Sequence, residues 1–479
     1  MNPAELEHNT LIIGLGKTGL SVARYLAAQN QDFSVLDTRT SPPLLNQFHQ
    51  EFPGKHFISA QLNHPLVQQS QRIILSPGIS AWEPNISGAK ARGAQVINDI
   101  TLFINALNQR LLNPTHLPQI YLPIVAITGS NGKTTLVHLV TQMAQEQGLN
   151  SMMAGNSGLP VLQCLEQETK DLYVLELSSF QLELIDKLPI KLASVLNLGE
   201  DHLDRYTSLE AYHQTKNKIY QQAEQIVLAK DYPQHYLDKL LPNLTEQQKI
   251  VRFSLDEPDT NTEVNTKANA KTSQPFGIKN HKDKAYIYCG KEPLIPLEAL
   301  KLQTPYNHLN FLAALTIGHA LGFSLQNMLN VIHAFEGLAY RCQKIAHING
   351  VTYYNDSKAT NVSALLAAVK SLMSEGRLWL LAGGQDKQAD FTPLNALMPD
   401  LNQLLLFGQS ANKIATHIYP KTDKIRKFNK MRNALDHAQR HAEPGDIILL
   451  APGCASFDEF TDYQARGQAF NEQVYAYID

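Results

Sequence analysis

PIVAITGSNGKTTLVHLV, from Pro123 to Val140, reads as a buried strand, a glycine-containing loop and the start of a helix. Backbone amides at such a helix start point at an anion, and a lysine beside them adds charge, so this arrangement wraps phosphates. Lys133 is placed for the β and γ phosphates of ATP. The Thr134 hydroxyl suits a hard cation such as Mg2+ held next to them. Gly129, Ser130, Asn131, Gly132, Lys133, Thr134 and Thr135 are therefore candidate ATP-binding residues. The loop is not a standard GxxxxGK[ST], because the residue five before Gly132 is Ile127.

Outward from this segment the pattern repeats. Apolar runs closed by glycine or an acid alternate with helical stretches: LIIG, FSVLD, RIILSPG, LYVLEL, ASVLNLG, RLWLLAGG, NQLLLFG and DIILLAPG. Such alternation predicts an α/β fold with mainly parallel sheets. A chain of 479 residues exceeds what one core organises. A Pro-rich stretch, Leu112 to Pro123, reads as a linker, and a polar one from about Asp256 to Lys284 as an exposed excursion. With a further break near Leu302 to Pro305, the expected domains are residues 1–112, 113–303 and 304–479: a Rossmann-like unit, a P-loop ATPase-like unit and a second Rossmann-like unit.

Charge is nearly balanced, 41 Lys plus Arg against 44 Asp plus Glu. This removes the broad electrostatic argument for a nucleic-acid or anionic-membrane partner. The start, MNPAELEHNT, lacks a basic patch followed by an apolar segment, and no run is long enough to span a bilayer. A cytoplasmic monomer is the expectation. Cys164, Cys289, Cys342 and Cys454 lie far apart with no CxxC, which points to reduced thiols rather than zinc or disulfides.

Near the N-terminus, Gly14, Gly16 and Gly19 form GxGxxG between a strand and a helix, and Asp37 closes the next strand eighteen residues after Gly19. This is a dinucleotide-type fingerprint, which lets a diphosphate approach a helix N-terminus. The same glycines can also serve packing alone. Asp37 suits ribose hydroxyls or a polar base, though a strand-end acid is equally ordinary. The turn Ser76 to Gly78 could present amides to the same ligand.

Beyond the phosphate loop, LYVLEL ends a buried strand at Glu176, where a P-loop enzyme needs an acid for its cation. A buried carboxylate with no cation near it would be costly. Ser178, Ser179 and Gln181 follow, with helix capping as the competing role of the serines. Asp201, His202, Asp204 and Arg205 sit past another apolar strand, where a histidine among acids is a metal or phosphate candidate. Lys216 by itself would pass for a surface lysine.

Taken together, TGSNGKTT, AGNSGLP, VLELSSFQLE, NLGEDHLDRY, TKNKIY, YNDSKATN, LAGG and APGCASFDEF resemble the Mur ligase superfamily, in its branch that adds D-glutamate to UDP-N-acetylmuramoyl-L-alanine. The resemblance spans all three expected domains. It implies that the first domain binds the uridine diphosphate end of a UDP-sugar, with Lys17, Thr18, Asp37, Thr38, Arg39 and Gly78 near it. Asn156 and His202 would lie along that substrate. Thr134, Glu176 and His202 would help hold a pair of magnesium ions, and Lys216 would carry a CO2-derived carbamate, an anionic oxygen donor of the kind Mg2+ accepts. Lys133, Glu176, His202 and Lys216 would form the catalytic set. Asn307, Asn310 and Arg341 would complete the nucleotide site, and Lys358, Ser456 and Tyr463 would bind D-glutamate. The chain departs from the family at Tyr306, often histidine, and at Ala339-Tyr340, often Pro-His; an aromatic at Tyr306 still offers adenine a stacking surface.

The implied reaction is amide ligation. A carboxylate attacks the γ phosphate to give an acyl phosphate and ADP, and an amine then displaces phosphate. Three rivals compete: a related ligase of different amino-acid or folate specificity, an NAD-dependent oxidoreductase resting on Gly14 to Gly19, and a non-catalytic nucleotide switch. The oxidoreductase leaves TGSNGKTT unexplained.

Overall fold

The computed structural model describes residues 10–111, 121–202, 205–240, 248–259, 272–386, 388–419 and 422–478. The chain divides into two compact units. The first comprises Met1–Leu198, His213–Pro296 and Phe311–Ile332; the second comprises Gly199–Tyr212, Leu297–Asn310 and His333–Asp479.

Among the described residues, three sheets belong to the first unit. β1 (Thr10–Ile13), β2 (Ser34–Asp37), β3 (Phe57–Ser59), β4 (Arg72–Leu75) and β5 (Gln95–Ile97) form a parallel sheet in the order β3-β2-β1-β4-β5. The order reverses beside β1, so the GxGxxG turn that follows β1 opens at the switch point where such sheets bind ligands. Gly19 is required there, since a Cβ on it would lie 1.9 Å from the carbonyl oxygen of Gly14.

The second sheet takes β6 (Leu122–Thr128), β7 (Ser151–Gly155), β8 (Leu172–Glu176), β9 (Ile190–Val195), β10 (Gln225–Ala229), β11 (Lys249–Phe253) and β12 (Thr272–Ser273) in the order β12-β11-β10-β9-β6-β8-β7. All its pairings are parallel. Strands buried on both faces read as unbroken apolar runs, and the LYVLE of β8 is buried at every position. Helix Lys133–Glu146 packs Leu136, Val137, Leu139, Val140 and Met143 into the core, each stabilising by about 1.5–3 kcal/mol relative to exposure. The apolar core is continuous with that of the first sheet, where Phe103 meets Tyr173 edge-on with ring centroids 5.3 Å apart.

The stretch from Asp256 to Lys284 departs from the excursion expected of it. Residues 260–271 lie outside the described residues, as does most of the expected linker. The remainder builds sheet: β13 (Phe276–His281), β14 (Lys284–Cys289) and β15 (Glu292–Pro296) form an antiparallel meander. Phe276 is fully buried in it. Its polar residues are the outward half of a strand, which composition alone reads as loop.

The second unit holds β16 (Gln343–Ile348), β17 (Val351–Asn355), β18 (Arg377–Gly383), β19 (Leu401–Phe407), β20 (Ile425–Phe428) and β21 (Asp446–Leu450) in the order β16-β17-β21-β18-β19-β20. Only the edge strand β16 runs antiparallel to its neighbour. Among the described residues no helix is long and apolar enough to cross a membrane, and none of the four cysteines forms a disulfide.

Asp99, which opens helix Asp99–Leu111, is buried, and its Oδ1 has no hydrogen-bond partner. Burial pushes its carboxyl from 3.8 up to about 7, against the opposing pull of nearby backbone amides. The folded protein thus keeps a proton that the unfolded chain releases, so this group's contribution is full at low pH and is lost as pH rises towards 7. Asp99→Asn is expected to raise the unfolding midpoint by several degrees at about pH 8 and to leave it nearly unchanged at about pH 4. Equal shifts at both pH values, followed by circular dichroism, would refute the assignment.

Candidate active site

β6 delivers the chain into the loop Gly129 to Gly132, and Gly132 caps the following helix in the left-handed region at φ +79°. A side chain at that position would strain the turn that aims the loop amides. Lys133 Nζ folds back onto the carbonyl oxygens of Gly129 and Ser130, at 2.8 and 3.0 Å. Its charge therefore lies over the loop, where a phosphate chain would lie.

Glu176, at the end of β8, is the hub of this centre. Its Oε2 accepts the Thr134 hydroxyl at 2.6 Å, and its Oε1 accepts the Asn156 amide at 2.8 Å. Three residues singled out separately in the sequence thus meet at one carboxylate, which is 2% exposed. Lys216, 1% exposed, donates to the Gly129 carbonyl at 2.9 Å and reaches the Thr128 hydroxyl at 3.5 Å. It is no surface lysine; it is buried under the phosphate loop.

This donor set suits a hard cation. A carboxylate and a hydroxyl side by side at a phosphate loop supply oxygen ligands, which Mg2+ prefers, and that ion commonly keeps waters and phosphate oxygens for its other positions. Among the described residues no three His, Cys, Asp or Glu side chains gather into a ready-made metal cage. Thr134, Glu176 and Lys216 belong to the first compact unit and His202 to the second.

Asn197 was not read from the sequence as part of this site. Its Oδ1 accepts the backbone amides of Ser130 and Asn131 at 3.0 and 2.9 Å, and its Nδ2 donates to the Asn131 carbonyl at 3.0 Å. One side-chain amide therefore clasps the tip of the loop. The available signal was its place just past β9, in NLGED, where a strand next to β6 ends. Ser178 takes the ordinary role weighed for the serines, capping the short helix Ser179–Leu182, and Gln181 completes a reciprocal capping box with it.

In the first sheet, Asp37 Oδ2 accepts the Leu15 amide and Arg39 Nη2, both at 2.7 Å, and its Oδ1 accepts the Arg39 amide and Nε, both at 2.9 Å. Burial pushes this carboxyl up, but the Arg39 guanidinium and the two amides outweigh it and hold Asp37 below its ordinary value. Ser76 Oγ donates to the Gly14 carbonyl at 2.9 Å, tying the later turn to the glycine loop. Lys17, Thr38, Arg39 and Gly78 are exposed around it, and Thr18 is half-buried.

In the second unit, His202 adopts φ +56°, and its amide donates to Asp201 Oδ1 at 2.9 Å. Asp201 Oδ2 accepts the Asn361 amide at 2.9 Å, while Asn361 Oδ1 caps helix Val362–Leu372. Asp204 lies outside the described residues. Lys358 Nζ sits 3.9 Å from the centroid of the Tyr463 ring, so two of the three residues expected around D-glutamate are in contact. Ser456 is buried nearby in sequence to that ring, and its carbonyl accepts the Phe460 amide at 2.8 Å. Tyr306 and Asn310 share a hydrogen bond. Burial pushes the Tyr306 hydroxyl up to about 12, with Arg341 opposing and Asp356 reinforcing that rise. Asn307 donates to the Thr304 hydroxyl at 2.9 Å.

Residues 8–98 match the model of the Mur ligase MurD-like N-terminal domain, residues 127–318 the Mur ligase middle domain, and residues 340–454 the Mur ligase glutamate ligase domain. The chain belongs to the Mur ligase family. A UDP-N-acetylmuramoylalanine–D-glutamate ligase of Coxiella burnetii is 39% identical over 98% of this chain and 99% of its own. One from Marinobacter nauticus is also 39% identical, over 98% of each. It is with these D-glutamate ligases that the chain groups within the family. The MurF ligase of Thermotoga maritima, solved in complex with ADP, shares the fold at a TM-score of 0.59 and 16% identity, covering 99% of this chain and 97% of that one.

Proposed function

We infer that the chain is an ATP-dependent amide ligase that adds D-glutamate to UDP-N-acetylmuramoyl-L-alanine, forming ADP and phosphate in peptidoglycan precursor synthesis. The observation that carries this reading is the meeting of Thr134, Asn156 and Glu176 beside the Lys133 loop, in a chain related over nearly its whole length to ligases of that name.

Residues 1–112 would bind the UDP-sugar through Lys17, Thr18, Asp37, Thr38, Arg39 and Gly78. Residues 113–303 would bind ATP, and 304–479 the amino acid through Lys358, Ser456 and Tyr463. Asn307, Asn310 and Arg341 would complete the nucleotide site. Lys133 neutralises charge on the γ phosphate as the substrate carboxylate attacks it, and Asn197, which takes up the amides of Ser130 and Asn131, holds the tip of the loop in one shape around that lysine. Asn156 would position the acyl end, and His202 would help orient it. Thr134, Glu176, His202 and a carbamylated Lys216 would hold magnesium, which, when bound, draws charge from the phosphate oxygens. Once the acyl phosphate has formed, Lys358 would hold the D-glutamate carboxylate so that its amine faces the activated carbonyl. The work would be done by a monomer in the cytoplasm.

Pure protein is expected to release ADP only when UDP-N-acetylmuramoyl-L-alanine and D-glutamate are both present. L-glutamate, other amino acids and a chelator should each reduce release to background. Turnover with L-glutamate and none with D-glutamate would reject the assignment.

A further inference from the structure

We propose that Arg466 is a positioning residue for the amino-acid end of the site, fixing the two loops that present Lys358 and Ser456. The proposal rests on the reading of Lys358, Ser456 and Tyr463 as the D-glutamate contacts, and deepens it.

Arg466 is fully buried. Its Nε donates to the Ser357 hydroxyl at 3.0 Å, and its Nη2 donates to the Ser357 carbonyl at 2.9 Å and the Cys454 carbonyl at 3.1 Å. Its Nη1 donates to the Ala455 carbonyl at 3.2 Å. One planar fork therefore spans the residue before Lys358 and the two residues before Ser456. Ser357 extends the clamp, donating its own hydroxyl to the Tyr463 carbonyl at 2.8 Å. Asn355 closes the other side, accepting the Ser357 amide at 3.0 Å and donating to the Gly467 carbonyl at 2.8 Å. All three expected D-glutamate contacts thus hang on segments joined by this one guanidinium.

Among the described residues no carboxylate forms a direct ion pair with Arg466, Asp458 and Glu459 acting on it only from farther off, and a buried cation without such a pair is costly. It also lies in the first turn of helix Tyr463–Tyr475, the end where the helix dipole disfavours a cation. Burial lowers its pKa to about 10, so it remains charged at neutral pH. What it supplies is a rigid set of donors in fixed directions. A lysine ammonium, a point charge on a flexible stem, cannot reproduce these.

The test measures steady-state ADP release by the full chain, with KM determined separately for ATP, UDP-N-acetylmuramoyl-L-alanine and D-glutamate. Arg466→Lys is expected to raise the D-glutamate KM roughly tenfold or more, the scale of lost hydrogen bonds to a charged group. The other two KM values should stay within about twofold. Ser357→Ala, which keeps the cation and removes one acceptor, is expected to raise the same KM by a smaller factor, and it decides the question if Arg466→Lys fails to fold. Lys358→Ala is the reference. If its D-glutamate KM rises while those of Arg466→Lys and Ser357→Ala do not, the positioning role is overturned, even where the melting midpoint drops. A uniform change in all three KM values overturns it too. If Lys358→Ala leaves the D-glutamate KM unchanged, the placement of the amino acid itself fails, and the inference with it.

Discussion

Glu176→Gln is expected to lower the rate of ADP formation by on the order of a thousandfold while leaving the fold intact. The substitution keeps size and shape on β8, at a position enclosed by the backbone of its neighbours. One orientation of the new amide preserves both present contacts, because the Thr134 hydroxyl can rotate to accept as well as donate, whereas the Asn156 NH2 donates and needs an oxygen opposite it. The glutamine oxygen will therefore face Asn156 and its NH2 will face Thr134. What is lost is the negative charge, and with it a charged ligand for the cation that steadies the phosphates. The melting midpoint should shift by only a few degrees, and the magnesium concentration giving half-maximal activity should rise. Wild-type turnover at limiting magnesium in this variant would remove Glu176 from the metal site and return it to a merely structural hydrogen-bond hub.

How much of this site was legible in the sequence depended on where its contacts lie along the chain. The phosphate loop was visible because strand, glycines, lysine and helix follow one another within eighteen residues, and β8 announced Glu176 by ending an unbroken apolar run on an acid. The parallel sheets showed through the same continuity, since strands covered on both faces leave no polar alternation. Asn197 was hidden for the opposite reason: it acts on Ser130 and Asn131 across sequence separations of 67 and 66 residues, and a single amide bonding main-chain groups leaves no periodic trace. Arg466 was hidden likewise, its acceptor Ser357 being 109 residues away. Strand Phe276–His281 was missed because its second half and the following turn are polar and exposed in succession, which leaves no alternation to mark a strand. Segment Gly199–Tyr212 sits between two parts of the first unit in sequence yet packs in the second, through contacts such as Asp201 with Asn361 that only the tertiary fold reveals.

Lys216→Ala should abolish most of the activity, by roughly a hundredfold or more, and a small carboxylate such as acetate or formate should restore part of it. The reason lies in where the side chain ends. Lys216 is buried with Nζ 2.9 Å from the Gly129 carbonyl, under the loop expected to hold phosphates and a cation. As an ammonium it would repel that cation; as a carbamate it would offer an anionic oxygen, the ligand type Mg2+ takes. Truncation to alanine leaves a pocket at this place, and a diffusible carboxylate can supply the missing oxygen without the stem. The two roles open to a buried lysine separate on rescue. A lysine that only braces the Gly129 carbonyl is a hydrogen-bond donor, which acetate cannot replace, so added carboxylate would leave the variant inactive and a small primary amine would be the better restorer. Rescue by carboxylate but not by amine supports the carbamate; the reverse pattern assigns Lys216 to the support of the loop, and undiminished activity in the variant dismisses both.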